Sequence, residues 1–574
     1  MGVPSLFRNV VEYDPSSYTW DQNAKTDHLY FDFNNLIHYC RGAMKPKTEE
    51  DLIDEVVKYT VYITTQVIKP QKLVYISFDG PVPYSKMVRQ RARRHKKVQD
   101  SSYLRKLYLK FGLEQETSID SNIITPGTKF MAQLSSRLKS YVAINAFNSH
   151  VPKERKFTVI INDTRTPGEG EHKIFQFLKK SHEKARCVIY GMDADLIILS
   201  MQSMKPGIKL LRESETDDVE FKTLDVDTVK KSILFLNNLT EYDEIRVIQD
   251  FVYFSSFGGN DFVPAFPSLH IKDDSLGFIL KSYKQLLDAN GGVYLIDEYD
   301  IPNHKVLQDF LQILELYETM MIRKKFNKIA KRASYVNHKY NPKLPKKEQI
   351  EGLYEVYEHG LYLSESHPFH KYYKDVLYSI DYDSDEWRTQ YCSYFFKDND
   401  LEEVCNEYLL ALKWTYDYYK TNEPPSWFFA YEYRVAPPIY TFLVAGDFAR
   451  LTQHGYEKKY KLPEGIKNDE SLSPYEQMMI VLPIQNVSLL PGPLQFFLRV
   501  DDSPIKDMYT RKFDLDVVAG LKNIYSEPLL PPVDFNKVRI IVNNALFNEA
   551  EISRNMMRNF PIKRTFGRID NKTQ

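Results

Sequence analysis

Four short, almost continuously apolar runs dominate the first 200 residues: HLYFDF (28–33), KLVYISF (72–78), FTVIIN (157–162) and RCVIYGM (186–192). Each is rich in Val, Ile, Tyr or Phe, and each gives way to polar or turn residues. Strands that are apolar throughout, rather than alternating, suit a sheet covered on both faces, as parallel sheets are. Amphipathic stretches at 49–68, 85–110, 128–146 and 171–184 lie between the runs and fit helices. Strand and helix therefore alternate, and the expected class is α/β, with a mostly parallel central sheet flanked by helices. In such sheets ligands collect beyond the carboxyl ends of the strands, so the residues just after each run are the first candidates for a site.

Those residues are acids. Asp32 closes the first run, Asp79 follows the second, and Asp193 and Asp195 follow the fourth; Glu169 and Glu171 flank Gly170 in TPGEGEHK, and Asp261 follows two glycines in FGGNDF. Any one of them alone is as well explained as the N-cap of the next helix. Seven at one edge, with Gly168, Gly170, Ala194 and Gly259 permitting close backbone approach, would repel one another unless cations sat among them. Hard divalent ions take oxygen ligands, and a pair about 4 Å apart suits phosphoryl transfer. The expected cofactor is Mg²⁺ or Mn²⁺, two ions, with Asp32, Asp79, Glu169, Glu171, Asp193, Asp195 and Asp261 as the metal-binding and catalytic set.

The segment 84–110 carries ten Lys or Arg and one acid, Asp100, whereas the whole chain balances 76 Lys+Arg against 77 Asp+Glu. Near-neutrality excludes a uniformly basic nucleic-acid coat but conceals a separation of charge. On a helix, Lys86, Gln90, Arg93, Arg94 and Lys97 share one face. Arginine offers fork geometry to phosphate oxygens, lysine a point charge and glutamine a neutral donor. An isolated Lys/Arg run is more often a solvated face or a localisation signal. This one starts within a few residues of Asp79, which favours a phosphate pocket beside the acidic edge.

Four cysteines occur, none in a CxxC pair, so neither a disulfide framework nor a zinc knuckle is indicated. An intracellular setting is expected, cytoplasm ahead of nucleus, and no run approaches the 18 apolar residues of a membrane span. The length of 574 residues accommodates several compact units. The expected division is a unit over 1–330 carrying the acids and the basic helix, a surface connection over 331–400, basic and then acidic, and a helical, aromatic-rich region over 401–574.

The ordered set MGVPSLFR, YFDFNNLIHYC (30–40), FDGPVPYSKMVRQRARRHK (78–96), DSNIITPGTKFM (120–131), TPGEGEHKI (166–174), YGMDADLIIL (190–199), KLLRE (209–213), DFVYFSSFGGNDFVPAFPSL (250–269), WFFAYEYRVAPP (427–438) and SPYEQMMIVLP (473–483) resembles XRN-type 5′→3′ exoribonucleases over most of the chain. The resemblance implies a nuclease core like that of PIN and flap nucleases, completed by a helical region. It also implies a processive enzyme that hydrolyses single-stranded RNA bearing a 5′-monophosphate to 5′-mononucleotides by two-metal-ion catalysis, in mRNA decay. The seven acids match the family's metal positions, and Lys86, Gln90, Arg93 and Arg94 match its 5′-phosphate pocket. His38 matches a histidine that stacks on a terminal base, and Trp427, in PSWFF where the family has a SWSW-like segment, is the candidate for the stacking tryptophan. Gly2-Val3-Pro4 would narrow the opening to a single strand. The family often has a paired Asp-Asp where this chain has Gln249-Asp250, which leaves Asp250 as a candidate helper. A reduced, core-only form is implied, similar to those of large DNA viruses, working as a monomer; decapping or other decay factors as partners are left open.

Two other readings stand beside this one. Flap-type structure-specific DNA nucleases also cluster carboxylates at the edge of an α/β sheet, but they place a Gly-Ile-Gly-like duplex-gripping element where this chain has FVPAFPSLHI after Asp261. A catalytically lapsed RNA-binding protein would be expected to have lost at least one of the seven acids.

Overall fold

The computed structural model describes residues 6–21, 24–115, 118–143, 157–181, 184–214, 219–269, 275–299, 302–336, 340–361, 374–375, 380–449, 470–500, 502–518, 520–558 and 562–565. Seven strands of the main sheet are, in chain order, β1 (Tyr18–Thr19), β2 (His28–Asp32), β3 (Leu73–Ser77), β4 (Thr158–Asn162), β5 (Cys187–Tyr190), β6 (Ile208–Glu213) and β7 (Phe221–Asp225). A further strand, Ile562–Thr565, joins them, and across the sheet the order is β1-β7-β6-β5-β2-β3-β4 followed by that strand. The five central strands, β6-β5-β2-β3-β4, are parallel. The pairs outside them are antiparallel. The chain moves outward from β2 through β3 to β4 and then returns to the other side of β2 with β5 and β6. That reversal opens a crevice at the carboxyl end of β2, the usual ligand position in an open α/β sheet.

The four apolar runs are the four strands β2 to β5, and every residue of β2 and β3 is buried. Alternate side chains serve opposite faces. Leu29, Phe31, Val74 and Ile76 pack against helices Phe33–Ala43, Glu49–Tyr62 and Lys129–Ala143. On the other face Tyr30 and Tyr75 pack against Phe177 of helix Gly170–Lys180, and with Ile189 they belong to the core that also takes in helices Asp195–Gln202, Glu244–Ser255 and Leu401–Thr421. The last of these buries Cys405, Leu409, Trp414, Tyr416 and Tyr418, residues on every side, so it runs through the core rather than along the surface. Asp400 starts it by accepting the Glu402 N–H at 3.0 Å, and Asn422 ends it in the left-handed region at φ 61°.

The basic helix spans Tyr84–Lys110, 27 residues, and has no side-chain cap. Its first free N–H groups find acceptors elsewhere: the carbonyls of Trp427 and Phe429 accept from Tyr84 at 2.8 Å and Ser85 at 3.1 Å. Residues far along the chain thus fix where this helix begins.

The stretch 331–400 differs from the surface connection expected of it. Its basic part, 340–348, is exposed, but helices Lys346–Glu358 and Trp387–Phe395 bury Ile350, Leu353, Tyr357, Trp387 and Tyr391. The dense charge lies on the outer faces of amphipathic helices, and the apolar spacing beneath it is what decides the packing. The region 401–574 likewise does more than cover the core, since Ile562–Thr565 pairs with β4 as a strand of the main sheet. No described helix is long and apolar enough to cross a membrane.

Candidate active site

Asp32, the last residue of β2, stands at the sheet's reversal point. One carboxylate oxygen each from Asp32, Asp79 and Glu171 lies within 4.8 Å of the others. Two neighbours of Asp32 orient this trio. The Asn34 amide donates to Asp79 Oδ2 at 2.7 Å, and the Asn35 amide donates to Asp32. Gly170 N–H donates to Asp79 Oδ1 at 2.8 Å. A Cβ at Gly170 would meet the Ser77 carbonyl at 3.0 Å and Asp32 Oδ1 at 3.1 Å, so any side chain there would press on the acid and on the end of β3. Gly80 is constrained too: it joins the loop after β3 to the loop before helix Gly170–Lys180 through Gly80 N–H to Gly168 O at 2.9 Å, where a Cβ would lie 1.8 Å from the Thr166 carbonyl.

Burial pushes Asp32 well above the usual carboxylate range, and the charges of Asp79 and Asp193 push it further. Glu171 is raised for the same reasons, burial first and then Glu169 and Asp32. Buried acids that cannot all ionise are the arrangement a bound cation relieves. The donor set is oxygen only, which fits a hard divalent ion.

The remaining acids group around one cation. Lys86 Nζ lies 2.5 Å from Glu169 Oε2 and 2.6 Å from Asp261 Oδ2, with the lysine side chain 8% exposed. Burial disfavours the ammonium, yet Asp261 and Glu169 outweigh it and hold the lysine charged. Burial would raise Asp261, but Lys86 brings it well below the usual range. Asp195 is pushed up to about 7, chiefly by burial. Asp193 is half-buried and close enough to act electrostatically on both Asp32 and Asp195. Asp32, Asp79 and Glu171 thus form one close group, Glu169 and Asp261 pair with Lys86, and Asp193 and Asp195 lie near enough to act electrostatically on these groups.

Helix Leu401–Thr421 backs this edge with aromatic rings. Tyr418 OH donates to Glu169 Oε1 and Tyr419 OH to Asp195 Oδ1, each at 3.1 Å. His172 stacks on Tyr418 with ring centroids 3.8 Å apart, and Phe262, next to Asp261, packs edge-on to Tyr418 and against Trp414. None of these rings was singled out from the sequence. Asn34 and Asn35 adjoin an acid in the chain and could have been, whereas Tyr418 and Tyr419 lie over 200 residues from their carboxylates with nothing local to mark them.

The four residues expected to form a phosphate pocket all lie on the basic helix and point to different neighbours. Lys86 sits among the acids. Arg93 reaches Asp261 at 3.9 Å, Arg94 donates to Thr125 Oγ1 at 2.6 Å, and Gln90 accepts from the Gln477 amide at 3.3 Å. Burial lowers Arg94 to about 10, still a cation at neutral pH. His38 is exposed on helix Phe33–Ala43, with Arg41, Lys97, Arg94 and Asp193 as its charged neighbours. Trp427 is half-buried against the cluster that contains Val82 and Met87, beside the start of the basic helix.

Asp250, the candidate helper, is elsewhere. It is fully buried and accepts from Tyr283 OH at 2.7 Å, Leu295 N–H at 2.6 Å and Ile296 N–H at 2.8 Å, so it ties a loop to helix Glu244–Ser255. Gly2-Val3-Pro4 lies outside the described residues.

Comparison with known proteins points to one family. Residues 1–214 match the family described as XRN 5′-3′ exonuclease N-terminus, and residues 241–357 and 370–560 match the family described as Xrn1 helical domain. The chain is 27% identical to human 5′-3′ exoribonuclease 1 over 93% of its length, which covers 33% of the human protein. It is 26% identical to the protein of that name from Saccharomyces cerevisiae, with 90% of this chain and 41% of that protein covered. For Schizosaccharomyces pombe the values are 24%, 97% and 49%. The chain thus spans a third to a half of these curated relatives.

Proposed function

This chain belongs to the XRN 5′-3′ exonuclease family, and on that premise we propose that it is a 5′→3′ exoribonuclease that removes nucleotides one at a time from single-stranded RNA bearing a 5′-monophosphate. The observation that carries the reading is the position of Lys86, on the basic helix yet 2.6 Å from Asp261, which sets a phosphate-reading surface directly against an acidic hydrolytic edge.

Asp32, Asp79 and Glu171 would hold one divalent ion, with Glu169, Asp193, Asp195 and Asp261 supplying ligands for a second. Such ions, when bound, supply Lewis acidity that lowers the pKa of an attacking water and offsets charge on a leaving oxygen. The chain's own groups do the rest. Asn34, Asn35 and the Gly170 N–H hold two carboxylates in place, and Tyr418 and Tyr419 hold two more. Lys86, Gln90, Arg93 and Arg94 would grip the terminal phosphate, so a 5′-hydroxyl end forfeits charge-assisted contacts and a capped or triphosphate end is too large. His38 and Trp427 would flank the terminal bases, a contact worth about 1–3 kcal/mol per base and tolerant of sequence. Advance by one nucleotide refills the pocket, which makes digestion processive. In this reading 1–330 is the nuclease unit, 401–574 the helical region that positions the aromatic backing, and the cellular role is mRNA decay by a cytoplasmic monomer.

The test is digestion of one 5′-labelled sequence as 5′-monophosphate RNA and as a DNA flap, with Mg²⁺ or EDTA. The expected result is release of labelled mononucleotide from the RNA alone and only with Mg²⁺. Preferential cleavage of the flap would overturn the reading.

A further inference from the structure

A cavity of about 750 Å³ opens from the acidic edge, with Asp193 and Asp261 among its lining residues. The volume falls within the about 300–1,000 Å³ typical of small-molecule sites. Of the four phosphate-pocket candidates Arg93 alone borders it; His38, Gln90, Arg94 and Trp427 do not. The basic helix therefore turns some of its side chains toward this cavity and others away from it. Gln90 and Arg94 turn toward Gln477 and Thr125, while Arg89, Arg93 and Lys96 turn toward the cavity and the segment 521–528.

The lining is electropositive. It includes seven Lys or Arg against three carboxylates, two of which are the metal-site acids Asp193 and Asp261. Its other wall is apolar and partly aromatic, with Phe326 and Tyr382 stacked at 3.6 Å and Ile329 beside them. Cations for a phosphate and rings for a base are the recognition chemistry of a nucleotide. Several of the cations already have partners: Arg89 meets Glu527 at 2.6 Å, and Lys96 donates to the Asn523 carbonyl. A ligand here must share them, which suits passage rather than tight retention.

We propose that this cavity is a product chamber, which receives the nucleoside 5′-monophosphate after each cleavage while RNA still fills the other side of the basic helix. The proposal rests on the exonuclease reading. A nucleotide cut from the 5′ end cannot leave past the strand that follows it, and Arg93, which touches both Asp261 and the cavity, lets its phosphate move over without losing contact with a cation.

The experiment uses the full chain loaded with a 5′-phosphorylated RNA whose linkages are phosphorothioate and resist cleavage, titrated with labelled adenosine 5′-monophosphate in equilibrium dialysis. The expected result is binding of the nucleotide with RNA in place, weakened at least ten-fold by Lys522→Glu at an exposed position and by Ala92→Trp, which fills the cavity. RNA affinity should change less than two-fold in either variant. Should RNA displace the nucleotide outright, or should Lys522→Glu bind it as well as the parent does, the chamber is wrong even if RNA digestion is intact. Nucleotide binding that depends on Lys522 in a chain that neither binds nor digests RNA would leave a nucleotide site in this cavity but overturn both the exonuclease reading and the chamber's role as a receiver of product.

Discussion

The Lys86 ammonium lies 2.5 Å from Glu169 and 2.6 Å from Asp261, buried with both. Removing one partner of a buried ion pair leaves the others uncompensated and costs about 3–5 kcal/mol. Lys86→Met is therefore expected to lower thermal stability by this order in EDTA. Mg²⁺ should restore part of the loss, because another cation then faces the same carboxylates. Melting curves with and without Mg²⁺ check this, and an unchanged melting temperature in EDTA would show that the lysine is not needed to offset the acids.

Glu171 makes the opposite prediction. Its carboxyl is held well above the usual range by burial and by Glu169 and Asp32, so the fold works against its ionised form. Glu171→Gln should stabilise the metal-free protein at pH 7, because a neutral amide fills the same space without the charge that burial and the neighbouring acids oppose. Nuclease activity should fall by more than the about 10–100-fold lost when only an outer partner of a metal ligand is removed. Denaturant titration and single-turnover digestion measure the two effects side by side.

Tyr419 OH reaches Asp195 at 3.1 Å from the helix whose Tyr418 reaches Glu169 at the same edge. Hydrogen bonds to charged groups are worth about 1.5–3 kcal/mol. Tyr419→Phe should lower kcat about ten-fold and weaken Mn²⁺ binding, read by titration calorimetry, with the preference between 5′-ends unchanged.

Asp250 tests structure rather than chemistry. Burial pushes its carboxyl up to about 7, so the folded state holds its proton better than the unfolded chain, where aspartate titrates near about 4. Its contribution to stability therefore falls as pH rises from about 4 to about 7. Asp250→Asn should flatten that part of the stability profile, measured by urea unfolding across pH, and leave Mg²⁺ dependence of digestion untouched.

Much of this site is legible in the chain because the acids sit where strands end. Asp32, Asp79, Asp193 and Asp195 follow apolar runs, so local pattern alone brings them to one edge of a parallel sheet. The basic helix is equally local. What the sequence conceals is non-local. Tyr418 and Tyr419 act across more than 200 residues, and Trp427 and Phe429 fix the start of the basic helix through backbone carbonyls that any residue type could provide. Strands β6 and β7 carry charged residues such as Lys209, Arg212 and Lys222 that break the apolar pattern, because they lie toward the antiparallel margin of the sheet. The helices of 346–358 and 387–395 are hidden beneath surface charge in the same way.

The central claim is that one helix reads the 5′-phosphate while the adjoining acids cut. It is tested most directly by kcat/KM for 5′-monophosphate and 5′-hydroxyl versions of one RNA, in the parent chain, Arg94→Ala and Glu171→Gln. The account predicts a strong preference for the monophosphate in the parent, collapse of that preference in Arg94→Ala, and an equal fall for both ends in Glu171→Gln. A preference that survives Arg94→Ala would mean that the end is sensed elsewhere and would contradict it.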